Sequence, residues 1–178
     1  MNAAPRIPDG LVPFPVNDED VQLRGRGRGR GSGPCPTLVE DAGSCLLEIL
    51  IVEDDAQVAV LLKDMIEVAP DFRVTGIAKD LAEALAAIAA HRPGLALIDI
   101  HLGGYGTGIE VAAHTQEAGI PTLFSTGNPL PFPVPELALG CLCKPYTCYS
   151  VCQSLRIVDK IIRGDPVDQD VPLDLELY

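Results

Sequence analysis

Short aliphatic runs alternate with stretches of helical periodicity from residue 46 onward, and this alternation restricts the folds open to the chain. The run Ile49-Leu50-Ile51-Val52 is typical of a strand that is buried on both faces. Apolar residues at spacings of three and four follow it and predict a helix: Val58, Leu61, Leu62, Met65 and Ile66. The same two patterns recur further along the chain, so we expect strands joined by helices.

Four more strands and three more helices are predicted in this way. The strands lie near residues 73–77, 95–99, 122–125 and 139–143, and the helices near 81–91, 109–117 and 147–162. Parallel strands need crossover connections, and helices supply them. The sequence therefore predicts an α/β fold with a flavodoxin-like, doubly wound, five-stranded parallel sheet of order 2-1-3-4-5.

The stretch between the predicted fourth and fifth strands departs from the alternation. It carries prolines at positions 129, 131, 133 and 135. Proline breaks helices because it lacks a backbone N–H and clashes with the preceding turn. We expect the fourth helix of the fold to be reduced or missing.

Composition divides the chain into three parts. Residues 1–45 contain six prolines and an Arg/Gly alternation from Arg24 to Gly31, with no helical or strand period. Such a segment cannot offset its ordering entropy by burial, which predicts a disordered tail. Residues 46–163 are expected to form one domain, and residues 164–178 a solvated acidic tail.

Charge and hydropathy disfavour two classes of partner. The formal net charge is −12, and −11 of it falls on residues 45–178, which hold eight basic and nineteen acidic residues. An acidic body repels a phosphate backbone, so a protein partner is expected rather than a nucleic acid. No apolar run approaches the roughly 20 residues that span a bilayer, and the amino terminus lacks the apolar core of a signal peptide. We expect a cytoplasmic protein.

Three acidic residues stand at the carboxyl ends of predicted strands. Glu53 and Asp54 follow the first strand, and Asp99 ends the third. Ligands of doubly wound sheets bind at these ends, where the strand order reverses. Clustered carboxylates repel each other unless a cation neutralises them, and hard oxygen ligands favour Mg²⁺. The sequence therefore predicts a Mg²⁺ site in which a carboxylate can act as a nucleophile on phosphorus.

Two further residues complete this edge of the predicted sheet. Thr126 ends the fourth strand and Lys144 the fifth. The hydroxyl can meet an incoming phosphoryl oxygen, and the ammonium can pair with it. Phosphoryl transfer depends on positioning and charge stabilisation, so these residue types suit it.

Five runs in order resemble the receiver domain of two-component response regulators, over residues 48–163. They are Ile49-Leu50-Ile51-Val52-Glu53-Asp54-Asp55, Leu97-Ile98-Asp99-Ile100, Gly108-Ile109-Glu110-Val111-Ala112, Ser125-Thr126-Gly127 and Cys143-Lys144-Pro145-Tyr146. The resemblance implies that Asp99 is the phosphoacceptor. It also implies that Mg²⁺ is bound by Glu53, Asp54, Asp99 and the backbone carbonyl of His101. Thr126 is then the switch hydroxyl, and Lys144 pairs with the phosphoryl group.

The resemblance also implies partners. The phosphoryl donor would be a sensor histidine kinase or a histidine phosphotransfer protein, and the chain would be a signalling phosphoacceptor, not an enzyme with a separate substrate. Residues 164–178 are too few for a DNA-binding domain, so output through a downstream protein partner is expected. The run Phe124-Ser125-Thr126-Gly127 resembles atypical single-domain regulators with a Phe-Ala-Thr-Gly-type run, which work with kinases of the HWE and related classes. Cys141 departs from the family, because many receivers have an aromatic switch residue there.

Other interpretations remain open. The domain could be a receiver-like interaction module that needs no phosphate, and the Arg24–Gly31 segment could associate with RNA. Four cysteines could in principle supply the thiolates of a structural zinc site: Cys141, Cys143, Cys148 and Cys152. Their positions on a buried strand and one turn apart on a helix favour small buried residues instead.

Overall fold

The computed structural model describes residues 46–103 and 107–178. The predicted disordered tail, residues 1–45, lies outside the described residues, and with it the Arg24–Gly31 segment. Residues 104–106, in the loop between the predicted third strand and the following helix, also lie outside them.

Strands and helices alternate through the described residues, as the sequence predicts. The strands are β1 (Leu47–Val52), β2 (Phe72–Ala78), β3 (Leu95–Ile98), β4 (Thr122–Thr126), β5 (Gly140–Cys143) and β6 (Leu175–Leu177). The helices are α1 (Ala56–Glu67), α2 (Leu81–His91), α3 (Gly108–Glu117) and α4 (Cys148–Arg163). Among these helices, none is long and apolar enough to span a bilayer.

The strands form one sheet of order β2-β1-β3-β4-β5-β6. Each neighbouring pair among the first five strands is parallel. The predicted α/β fold class and the order 2-1-3-4-5 are therefore confirmed. Every residue of β3 and β4 is buried, which agrees with the continuous apolar run of β3 and with Leu123 and Phe124 at the centre of β4.

The sixth strand is a correction to the sequence analysis, which expected a solvated tail over residues 164–178. β6 pairs antiparallel with β5, with Gly140 opposite Leu177 and Leu142 opposite Leu175. A Cβ on Gly140 would lie 2.2 Å from the backbone oxygen of Glu176, so glycine is what allows the two strands to approach. The sheet thus has six strands, and its β5 side is covered by the chain itself.

Helices cover the sheet in two pairs. α1 contacts α4, and α2 contacts α3. The α2–α3 side contains a core cluster in which Val52, Ile98 and Phe124 from three strands meet Val111 of α3. This packing fixes the central strands, whose carboxyl ends carry the predicted site residues.

Residues 127–139, between β4 and β5, contain turns and no helix. Leu130, Val134 and Leu137 of this stretch pack against the core cluster, and the four prolines between residues 129 and 135 are exposed. These three residues therefore supply apolar contacts to the core without a helix at this position.

Candidate functional site

Four adjacent strands bring the predicted site residues to one edge of the sheet. Glu53 and Asp99 directly follow β1 and β3, Thr126 ends β4, and Lys144 directly follows β5. Backbone bonds extend the ladder to these positions: the Asp99 N–H donates to Val52 at 2.8 Å, and the Lys144 N–H donates to Thr126 at 2.8 Å. The side chains are therefore held by the sheet itself.

Lys144 joins the two buried carboxylates. Its Nζ donates to Glu53 Oε2 at 2.8 Å and to Asp99 Oδ2 at 2.7 Å. The side chains of Glu53, Asp99 and Lys144 are 4%, 11% and 23% exposed. These three predicted residues therefore form one cluster, in which a single cation neutralises two acids shielded from water.

Burial and ion pairing shift the pKa values of this cluster in opposite directions. Burial lowers the pKa of the Lys144 ammonium, but its bonds to Asp99 and Glu53 outweigh that effect, so its pKa is raised overall. Burial raises the pKa of the Glu53 carboxyl, and the Lys144 ammonium opposes that rise. Lys144 is thus a permanent positive charge beside Asp99, where an incoming anion could be met.

Asp54 differs from its neighbours because it is exposed. Its Oδ2 accepts a hydrogen bond of 2.9 Å from the backbone N–H of Gly103, in the loop that follows β3. Asp55 caps α1 by accepting from the N–H groups of Gln57 and Val58. The three consecutive acids therefore have three partners: Lys144, the β3 loop and a helix end.

The predicted Mg²⁺ ligands agree in donor chemistry with the ion. Glu53, Asp54 and Asp99 offer carboxylate oxygens, and hard oxygen donors are what Mg²⁺ prefers. Across residues 46–103 and 107–178, no group of three or more His, Cys, Asp or Glu side chains is arranged as a ready metal site. Lys144 supplies the balancing charge in this arrangement, and Asp54 is bound to Gly103.

Thr126 is buried, with 1% of the residue exposed. Its Oγ1 lies 3.2 Å from Nδ1 of His101 and accepts from the N–H of Asn128 at 3.3 Å. His101 in turn donates its backbone N–H to Asp99 Oδ1 at 2.9 Å. His101 therefore links the phosphoacceptor candidate to the hydroxyl of Thr126.

Sequence reasoning missed the side-chain contact of His101, since only its backbone carbonyl was singled out. The available signal was its position two residues after Asp99, on the loop at the same sheet edge. The four cysteines considered as zinc ligands are free thiols, two of them buried and two half-buried.

Gly108, the first residue of α3, packs against the backbone of the Asp99 loop. A Cβ there would lie 2.0 Å from the carbonyl oxygen of Asp99 and 2.7 Å from the Cα of Ile100. We expect Gly108→Ala to lower the free energy of unfolding by about 1–3 kcal/mol, because the backbone must shift to admit the methyl group. Urea denaturation followed by circular dichroism measures this change.

Gly127→Ala is the matched control for that variant, because its Cβ would meet only Lys144 Cβ, at 3.9 Å. The control is expected to change stability by less than about 0.5 kcal/mol. Equal losses in the two variants would show that the tight contact at Gly108 is unimportant.

A shallow apolar cavity of about 190 Å³ lies beside the cluster, between α1 and the end of β5. It is lined by Val58, Leu61, Leu62, Met65, Lys144, Pro145 and Tyr146. The Tyr146 phenol oxygen accepts from the Ser125 hydroxyl at 3.3 Å, which fixes one wall of the cavity. An apolar surface therefore borders the charged site.

Comparisons with known proteins agree with this arrangement. Residues 49–132 match the response regulator receiver domain family. No curated protein sequence matches the chain. The signal receiver domain of a modulated diguanylate cyclase from Desulfovibrio desulfuricans G20 is 28% identical, with a TM-score of 0.55, over 67% of this chain and 95% of that one.

Two other solved structures share the fold. The anti-anti-sigma factor PhyR from Bartonella quintana is 25% identical, with a TM-score of 0.53, over 67% of this chain and 51% of that one. The chemotaxis response regulator CheY4 of Vibrio cholerae is 23% identical, with a TM-score of 0.54, over 62% of this chain and 97% of that one. The family match covers the strands that carry Glu53, Asp99 and Thr126, and Lys144 reaches these residues from the next strand. Residues 49–132 are therefore similar to a response regulator receiver domain, and the sheet has the fold of such domains.

Proposed function

We propose that this protein accepts a phosphoryl group on Asp99 and passes the change to a protein partner. The observation that carries the proposal is the bridge from Lys144 Nζ to Asp99 Oδ2 at 2.7 Å and to Glu53 Oε2 at 2.8 Å. It holds a nucleophilic carboxylate beside a fixed cation at the open end of a parallel sheet. The chain is then a signalling phosphoacceptor, which acts on its own carboxylate.

The chemistry is transfer from a phosphohistidine. An oxygen of Asp99 forms a bond to phosphorus while the bond from phosphorus to the donor imidazole nitrogen breaks. The electron pair of that bond stays with the imidazole, which takes up a proton, and the product is an acyl phosphate. Lys144 pairs with a phosphoryl oxygen, and the Thr126 hydroxyl can donate to another.

Mg²⁺ belongs to the proposal as a cofactor. Glu53, Asp54, Asp99 and the backbone carbonyl of His101 would hold it. When bound, it supplies positive charge that offsets the negative charge of the phosphoryl oxygens.

The proposed donor is a sensor histidine kinase or a histidine phosphotransfer protein in the cytoplasm. The apolar cavity between α1 and Tyr146 supports this assignment, because it borders the charged cluster and could receive apolar side chains of a donor. Val60 and Leu61 of α1 are each more than half exposed and extend that surface. The downstream partner is expected to be another protein.

A narrower assignment is to atypical single-domain regulators with a Phe-Ala-Thr-Gly-type run, which are partners of HWE-class kinases. Phe124-Ser125-Thr126-Gly127 resembles that run, and residues 127–139 contain no helix. The chain carries Cys141, not an aromatic residue, on β5, and this also departs from typical receivers.

Small phosphoryl donors test the proposal directly. With acetyl phosphate and Mg²⁺, the protein should gain the mass of one phosphoryl group. Beryllofluoride with Mg²⁺ should shift the amide signals of Asp99, Thr126 and Lys144 in nuclear magnetic resonance spectra. Excess EDTA should prevent both effects, because Mg²⁺ would no longer offset the negative charge of the phosphoryl oxygens beside three carboxylates.

The control for metal removal is addition of excess Mg²⁺ after EDTA, which should restore both signals. A protein that shows neither the mass change nor the shifts in the presence of Mg²⁺ would instead fit an interaction module that works without phosphate.

A further inference from the structure

β6 places Tyr178 against the core of the domain. The Tyr178 N–H donates to the Leu139 carbonyl at 3.0 Å, and the Cys143 N–H donates to the Asp174 carbonyl at 2.7 Å. The half-buried Tyr178 ring packs on the core cluster that contains Phe124 and Cys141. The strand is thus fixed along its length, and it adds an aromatic side chain to the sheet face next to residues 127–139.

The Cys141 thiol connects this tyrosine to the site. It lies in the core cluster on which Tyr178 packs, and strand pairing sets Cys141 opposite Phe124, two residues before Thr126. Burial raises the pKa of Cys141 to about 12, so the thiol stays protonated at neutral pH. Burial also raises the pKa of the Tyr178 phenol. The contacts therefore join uncharged groups and depend on close packing.

The same Thr126 is tied to the charged cluster. Its carbonyl accepts the N–H of Lys144 at 2.8 Å, and its hydroxyl lies 3.2 Å from His101 Nδ1. The strand pairing sets Thr126 opposite Cys143. A continuous path thus runs from Tyr178 through Cys141 and the pairing of β5 with β4 to Thr126, whose hydroxyl lies next to His101.

We propose that β6 and Tyr178 form a latch that holds Thr126 in its His101-facing arrangement and so opposes acceptance of a phosphoryl group at Asp99. This inference rests on the proposed function. Acceptance requires the Thr126 hydroxyl to leave His101 for the phosphoryl oxygens. Movement of Thr126 disturbs its pairing with Cys143 of β5 and, through that strand, the bond from Cys143 to Asp174 and the packing of Tyr178.

The latch must act in both directions, because coupling between two sites is reciprocal. If docked β6 disfavours the phosphorylated arrangement, that arrangement weakens the docking of β6 by the same factor. The output of the domain is then a loosened strand, which frees the β5 edge and the acidic residues Asp174 and Glu176 for a partner.

The test uses beryllofluoride with Mg²⁺ on the full chain. Tyr178→Ala should lower the beryllofluoride concentration at half saturation by about fivefold, the lower end of typical coupling between sites. Tyr149→Ala is the matched control, because it removes an exposed tyrosine from α4 and should leave the midpoint unchanged. Tyr178→Phe keeps the ring but removes its hydroxyl group, so it should give a midpoint between those of Tyr178→Ala and the unmodified protein.

Amide hydrogen exchange on the unmodified protein gives a second readout that needs no variant to fold. Beryllofluoride should speed exchange at the Tyr178 and Cys143 amides, which carry the β5–β6 bonds, and leave the Ala96 amide between β3 and β4 unchanged. Unchanged exchange at Tyr178 and Cys143 despite shifts at Lys144, or an unchanged midpoint in folded Tyr178→Ala, overturns the latch alone. If beryllofluoride shifts no amide signal in the unmodified protein, both the proposed function and the latch are contradicted.

Discussion

Asp99→Asn is expected to reduce phosphoryl transfer from acetyl phosphate by more than about 100-fold, because an amide oxygen is a far weaker nucleophile than a carboxylate. The fold should be kept, since the amide oxygen can still accept the His101 N–H that Asp99 Oδ1 accepts at 2.9 Å. Intact-protein mass after incubation with acetyl phosphate and Mg²⁺ measures the loss. Thermal melting of the same sample confirms that the variant is folded.

Asp64→Asn is the matched control, because Asp64 is an exposed acid on α1, outside the charged cluster. It should be phosphorylated like the unmodified protein. Peptide mapping of the phosphorylated protein provides a further check, since the added group should lie on the peptide containing Asp99. Phosphorylation of Asp99→Asn at an undiminished rate, or mapping to Asp54, would assign the nucleophile elsewhere.

The strands that carry the site could be predicted from sequence because they are buried on both faces. β1 and β3 are almost continuously apolar, and β4 is buried throughout. Each strand is followed or ended by a polar residue that can reach solvent only at the sheet edge. That edge brings Glu53, Asp99 and Lys144 together regardless of loop detail. The charged cluster was therefore predictable from the order and ends of the strands.

β6 was not predicted, although its signal is present. Residues 173–177 read Leu-Asp-Leu-Glu-Leu, which is the alternation of a strand with one buried face. The acidic composition of residues 164–178 favoured a solvated tail, and a strand of three residues has little stability by itself. Its order comes from pairing with β5, which is distant in sequence, and from the close approach that Gly140 permits.

The directions of two side chains were also beyond sequence reasoning. Asp54 turns to the N–H of Gly103, and His101 turns to the hydroxyl of Thr126. Each choice depends on the path of the loop after β3, which follows from packing and not from periodicity. Sequence patterns could place these residues at the correct sheet edge but could not assign their partners.

Lys144→Met should cause the largest loss of stability among the variants considered, about 2–4 kcal/mol, because it leaves two buried carboxylates facing each other without a cation. Methionine keeps the length of the side chain and can pack against the apolar cavity that Lys144 lines. The loss is therefore expected to be electrostatic. Urea denaturation at neutral pH measures it as a lower midpoint.

Lys79→Met separates this effect from the general loss of a lysine. Lys79 pairs with Glu83 at 2.9 Å, but the two side chains are 66% and 47% exposed, so its loss should leave the urea midpoint nearly unchanged. In an Asp99→Asn background, Lys144→Met should cause a smaller loss of stability. Only the Glu53 carboxylate is then left without a cation, and no second carboxylate repels it. Equal losses with and without Asp99→Asn would mean that Lys144 stabilises the domain by packing alone, and the charged cluster would not be the feature that prepares Asp99 for a phosphoryl group.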